Sequence, residues 1–225
     1  MIETTITMKH IYCTLISYLS FMTSFSQTKL AEISHYLFPE FTQGYILLKN
    51  GTGYKSLLNY SSLTEEMVFE ENGKRLTMSK LASDEIDTVF IGGRKFIRLS
   101  NTFIELIHHS KFDLFVEHKC SVQRPGKESG YGGTSQTSAI DSYSSLISNG
   151  HIYDLKLPDG YEAKTFFYYW LKKNGAFKMF VNMRQLKDLY HDKKDLLDAY
   201  VKQNDIKYNN QESIIQLIEY LETNI

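Results

Sequence analysis

Between Gly44 and Val181 apolar and polar residues alternate in short runs, and the runs end at pairs suited to tight turns. Asn50-Gly51, Asn72-Gly73, Asn174-Gly175 and Gly92-Gly93 supply the positive-φ positions that two-residue hairpins require. The second pair also specifies a register. A turn at Asn72-Gly73 sets Glu71 opposite Lys74, Glu70 opposite Arg75, Phe69 opposite Leu76 and Met67 opposite Met78. Two opposite-charge pairs and two apolar pairs result, and a slip of one residue would lose all four. A turn at Asn174-Gly175 likewise sets Trp170 against Met179, Tyr169 against Phe180 and Tyr168 against Val181.

The run Phe166–Leu171 is apolar on both faces, which predicts a central strand covered from both sides. An aromatic platform for stacking a ligand is the competing reading. Gly92-Gly93 joins Asp87–Ile91 to Arg94–Leu99, and Thr102–Ile107 and Asp113–His118 continue the series. Connections this short require antiparallel pairing, because parallel neighbours need long crossovers.

After Val181 the period lengthens to that of helices. Asn182 is predicted to cap Met183–Tyr190, and Asp192 to precede Lys193–Gln203, whose Leu196, Leu197, Tyr200 and Val201 form one stripe. Asn209 or Asn210 is predicted to cap Glu212–Glu222, with Ile214, Ile215, Leu217, Ile218 and Leu221 on the buried face. The predicted fold class is therefore α+β and mainly β. An antiparallel meander over 44–181 forms a curved sheet or half-open barrel, and 182–225 adds two to three C-terminal helices. Within it, 121–150 contains Arg124-Pro125-Gly126 and a Ser/Thr-rich stretch, and is predicted to be a long polar excursion, functional or disordered.

The N-terminus has a different pattern. Met8-Lys9-His10 gives a short positive segment, Ile11–Met22 an apolar run, and Ser24-Phe25-Ser26 small residues at both positions that a signal peptidase reads. Residues 1–26 are predicted to be a cleaved signal peptide, with Met8 the translation start because Glu3 is out of place in such a leader. Residues 27–225 are then a single mature domain of 199 residues (225 minus 26). Thr14, Ser17 and Ser20 interrupt the run, which falls short of the roughly 20 apolar residues of a spanning helix. No later segment is long and apolar enough to cross, so the mature chain is expected to be periplasmic or secreted without a transmembrane segment. Cys13 would leave with the leader, and Cys120 alone forms no intrachain disulfide.

Composition changes this picture little. Aromatics at 14% favour sheet, and a net charge of −1 provides no basic excess to release counterions from a nucleic acid. Phosphate loops, nucleophile elbows, HExxH and paired-cysteine signatures are absent, and Gly130-Tyr131-Gly132-Gly133 lacks the Gly-Lys-Ser/Thr that would follow in a phosphate cradle. No cofactor and no catalytic residue is assigned. The metal candidates are His118 and Cys120, which project to one side of a strand, with His108 and His109 closing the strand before. A structural zinc site, however, needs four ligands in recognisable pairs. Asp84, Glu85 and Asp87 read as a solvated turn, and the Lys/Asp run from Lys187 to Asp198 as the wet face of a helix.

Four segments carry a resemblance: Phe41–Gly51, Leu58-Asn59-Tyr60 with Glu66–Phe69, Asp87–Phe96, and Lys193–Asp195 with Tyr200–Asn204. In these the chain resembles a group of uncharacterised exported proteins of Bacteroidota-type bacteria. The resemblance implies an envelope or secreted location and transfers no catalytic residue. The expected function is that of a non-enzymatic envelope protein that binds or interacts, its partner an unknown protein or apolar ligand of the envelope. The alternative is a periplasmic carrier of a lipid or other apolar ligand, and an exported hydrolase stands third.

Overall fold

The computed structural model describes residues 35–123, 127–128, 134–135 and 162–224. The predicted leader and most of 121–150 lie outside these residues. In chain order the strands begin with β1 (Thr42–Leu48), β2 (Gly53–Ser61), β3 (Glu66–Glu71) and β4 (Lys74–Thr77). A five-residue helix, α1 (Lys80–Asp84), precedes β5 (Ile86–Ile91), β6 (Arg94–Leu99), β7 (Thr102–His109) and β8 (Asp113–Gln123). Two short strands, β9 (Lys127–Glu128) and β10 (Thr134–Ser135), pair with each other. Then come β11 (Glu162–Lys173), β12 (Ala176–Phe180), α2 (Met183–Leu189), a 3-10 turn at His191–Lys193, α3 (Lys194–Asn204) and α4 (Gln211–Thr223).

Turn chemistry makes the hairpins. Asn72 and Gly73 have φ of 52° and 72°, the two positive values of a type I′ turn, and Glu71 faces Lys74, Glu70 faces Arg75 and Phe69 faces Leu76. At the other end Tyr169 faces Phe180 and Trp170 faces Met179. Asn50-Gly51 behaves differently. The strands stop at Leu48 and resume at Gly53, and the Asn50 side chain accepts from the Thr52 N–H at 2.9 Å, a wider Asx-type loop.

Ten strands form one antiparallel sheet in the order β12-β11-β8-β7-β6-β5-β1-β2-β3-β4. It is two meanders rather than one. The chain leaves β4 through α1 and returns to the free side of β1, where Gly44 faces Ile91 and Leu48 faces Ile86. Hairpin signals report only consecutive neighbours, so they do not reveal this return. β4, four residues long, offers β5 a shorter ladder than β1 does.

The sheet is curled but not closed. β2 and β8 stand five places apart, roughly 24 Å in a flat sheet at about 4.8 Å per strand. Yet the Tyr60 hydroxyl of β2 donates to the His118 carbonyl of β8 at 3.2 Å. The inner face carries two apolar cores. One, under β1–β7, holds Ile46, Leu58, Tyr60, Val89, Ile91, Phe96 and Phe103. In the other, Leu114, Val116, Tyr169, Leu171 and Phe180 pack against Leu186, Leu197, Ile214, Leu217, Ile218 and Leu221 of the helices.

Strand β11 is next to the edge, not central. Its Tyr169 and Leu171 are covered by helices, while Phe166 on the opposite face is 38% exposed. The aromatic run is therefore buried chiefly on one side. The Tyr169 hydroxyl donates to the Tyr208 carbonyl at 3.0 Å and the Tyr208 hydroxyl to the Phe167 carbonyl at 3.1 Å, a reciprocal clasp that ties the segment between α3 and α4 to the sheet. Asn182 and Asn210 cap α2 and α4 by accepting from Gln185 N–H and Ser213 N–H. Asp192 caps no helix: it lies in the 3-10 turn, and α3 begins without a side-chain cap. Among the described residues no helix is long and apolar enough to cross a membrane.

Candidate functional site

Two features of the inner face stand apart from ordinary packing. The first is a buried ionic cluster. Register alone places it: Phe96 faces Glu105 across β6 and β7, Glu105 faces Val116 across β7 and β8, and side chains two apart share a face. Arg94, Glu105 and His118 thus converge. Arg94 Nε donates to Glu105 Oε1 at 2.5 Å and Arg94 Nη2 to Glu105 Oε2, while His118 Nε2 lies 2.6 Å from Oε2. The Glu105 side chain is only 8% exposed and that of His118 12%. The Arg94 guanidinium also lies over the rings of Phe38 and Phe96, at 5.0 and 5.7 Å.

Burial works against the Glu105 carboxylate, but hydrogen bonds from Arg94 and His118, and their charge, outweigh it and hold its pKa below the usual value. The cluster ties three strands together.

His118 is thus committed to Glu105 and Arg94, and Cys120 takes no part in that cluster. The Cys120 thiol contacts the Ser121 carbonyl at 3.6 Å, and burial pushes its pKa up, away from the thiolate that binds metals. His108 contacts Ser110 at 3.0 Å and Glu219 of α4 at 3.2 Å, and His109 contacts Asp113. Among the described residues no group of three or more His, Cys, Asp or Glu side chains is placed to hold a metal ion.

The second feature is a cavity of about 410 Å³ at the opposite end of β1 and β5. Its walls are Ile46 and Leu48 of β1, Phe69 of β3, Met78 beyond β4 and Ala82 of α1. Tyr54, Ser56 and Glu85 supply the polar edge. The space exists because α1 bridges the concavity without filling it. The helix has no buried residue, and its one large apolar side chain, Leu81, is 81% exposed.

The helix is fixed at both ends. Ser79 accepts from the Ala82 N–H at its start. At its end Arg98 donates to Asp84 Oδ1 through Nε at 3.2 Å and Nη2 at 2.8 Å, and Lys49 Nζ donates to the Asp84 carbonyl at 2.6 Å. The acidic trio Asp84, Glu85 and Asp87 is open to solvent, as expected, with Glu85 and Asp87 exposed and the Asp84 side chain 45% exposed. Asp84 anchors α1, Glu85 lines the cavity, and Asp87 accepts from the Thr88 hydroxyl at 2.8 Å.

A volume of this size lies within the roughly 300–1,000 Å³ range of small-molecule sites, and apolar walls of this kind hold apolar guests rather than water. Hairpin signals alone do not reveal it, because its lining comes from β1, β2, β3, the segment after β4 and α1, and the space forms only where α1 crosses the concave face of that meander. No protein-family model, curated protein or solved structure matches this chain.

Proposed function

We propose that this protein binds and carries a small apolar molecule, acting outside the cytoplasm after residues 1–26 have been removed. The observation that carries the reading is the cavity beneath α1, walled by Ile46, Leu48, Phe69, Met78 and Ala82. Burying an apolar guest there contributes about 25 cal/mol per Å² of apolar surface removed from water, with no bond to be made or broken.

The test is uptake of the neutral probe N-phenyl-1-naphthylamine by the full mature chain, with native mass spectrometry of protein purified from its own cells. Saturable fluorescence gain and a bound small-molecule mass are expected. Ala82→Trp, which projects an indole into the cavity from an exposed position, is expected to reduce uptake at least tenfold with an unchanged circular dichroism spectrum. Equal uptake by Ala82→Trp would remove the cavity from consideration.

A second reading, an interaction protein, is favoured by the outer face. Register sets Lys55, Tyr45, Phe90 and Lys95 in one row across β2, β1, β5 and β6, with Tyr45 38% and Phe90 39% exposed. The same experiment separates the readings, because a role confined to that row is indifferent to Ala82→Trp.

A further inference from the structure

We infer that the guest is an amphiphile whose apolar chain fills the cavity and whose head is a protonated amine held at Glu85. The inference rests on the carrier reading and narrows it to one class of ligand. Among the described residues that line the cavity, Glu85 brings the one carboxyl group, and no lysine or arginine joins it. Its carboxylate has no hydrogen bond or ion pair within the protein among the described residues, although its backbone is held by the Ala82 carbonyl at 3.2 Å and by the Lys49 N–H at 2.9 Å. Glu85 thus presents an unspent carboxylate on an anchored backbone, at the exposed edge of a largely apolar volume.

The cations nearby do not offset it. Both Arg98 donors go to Asp84 and its guanidinium lies 5.3 Å over the Phe103 ring, while the Lys49 ammonium is spent on the Asp84 carbonyl. Neither lines the cavity. A carboxylate head would meet a like charge with no cation in the described lining to receive it, whereas an ammonium would find one acceptor and leave its chain in the dry part of the site. An ion pair at an exposed rim is modest in strength, so the discrimination expected is on the order of tenfold rather than a thousandfold.

The experiment uses three ligands with one chain length: dodecylamine, dodecan-1-ol and dodecanoate, each below its micellar concentration. They are titrated calorimetrically into the full mature protein at pH 7 in low salt. The amine is expected to bind roughly tenfold tighter than dodecanoate, with the alcohol between them. Glu85→Gln is expected to bring all three to within about twofold of one another and leave the alcohol unchanged. Dodecanoate binding as tightly as the amine, or an amine preference that survives Glu85→Gln, would overturn the head-group assignment while the carrier reading stands. Failure of all three ligands to bind would overturn both.

Discussion

Glu105 shows how one residue sets conditions on the whole fold. A carboxylate 8% exposed is unfavourable by itself, and here the two donors that surround it convert that penalty into a lowered pKa. A group whose pKa is lower folded than unfolded contributes stability above its unfolded value, and that contribution is lost as pH falls through the folded one. His35 acts in a different window. Burial first, and then the charge of Arg75, lower its pKa from 6.5 to about 4, and its Nε2 is buried without a hydrogen-bond partner. Its stabilisation is complete above about 6.5 and lost as pH falls from there towards 4. Urea unfolding followed against pH is therefore expected to show a decline beginning near pH 6.5 and a further decline below 4.5. His35→Gln should remove the first. Glu105→Gln should flatten the second, and should cost about 1–2 kcal/mol at pH 7, because Arg94 loses its counter-charge but is partly solvated and can still donate to the amide oxygen.

At the level of elements, local chemistry decided most of what forms. The two Asn-Gly hairpins at 72–73 and 174–175 and the Gly92-Gly93 turn carry their own instructions, so strands β3 to β6, β11 and β12 were legible from turn residues and cross-strand pairs. The helices announced themselves by Asn182 and Asn210, and each cap is expected to matter singly. Asn182→Ala and Asn210→Ala should each lower unfolding free energy by about 1 kcal/mol with no change in the urea slope.

What escaped was what depends on distant partners. Helix α1 has five residues and no apolar stripe, so its period is invisible. The return of β5 to β1 follows from which ladder is longer, not from any turn. The ionic cluster did leave a trace: Glu105 occupies an inward position two residues from Phe103, a charge where alternation calls for an apolar side chain. Such an interruption shows that a partner exists but does not name it. Residues 94, 105 and 118 become neighbours only once two hairpin registers are combined.

Across the whole molecule the two cores differ in how they are closed. Leu37 and Phe38 of the segment before β1 pack on the β1–β7 core, whereas the other depends on α2, α3 and α4. A chain ending at Val181 would expose Leu114, Val116, Tyr169, Leu171 and Phe180 together, a patch large enough to drive association. Such a chain is expected to be found in the insoluble fraction, or to bind hydrophobic dye strongly if solubilised, while the full chain does neither. Soluble, dye-silent protein would mean that the helices are dispensable to the fold.

A rolled sheet that stops short of meeting itself keeps two unsatisfied margins, β4 and β12. Both are brief, at four and five residues, and both carry exposed lysine, Lys74 on one and Lys178 on the other. Strand-by-strand polymerisation on the ten-stranded sheet, as far as its described residues go, would begin at one of these margins. At either it would meet a short template and a repelling positive charge, so a sheet left open is still guarded against fibre growth at both ends.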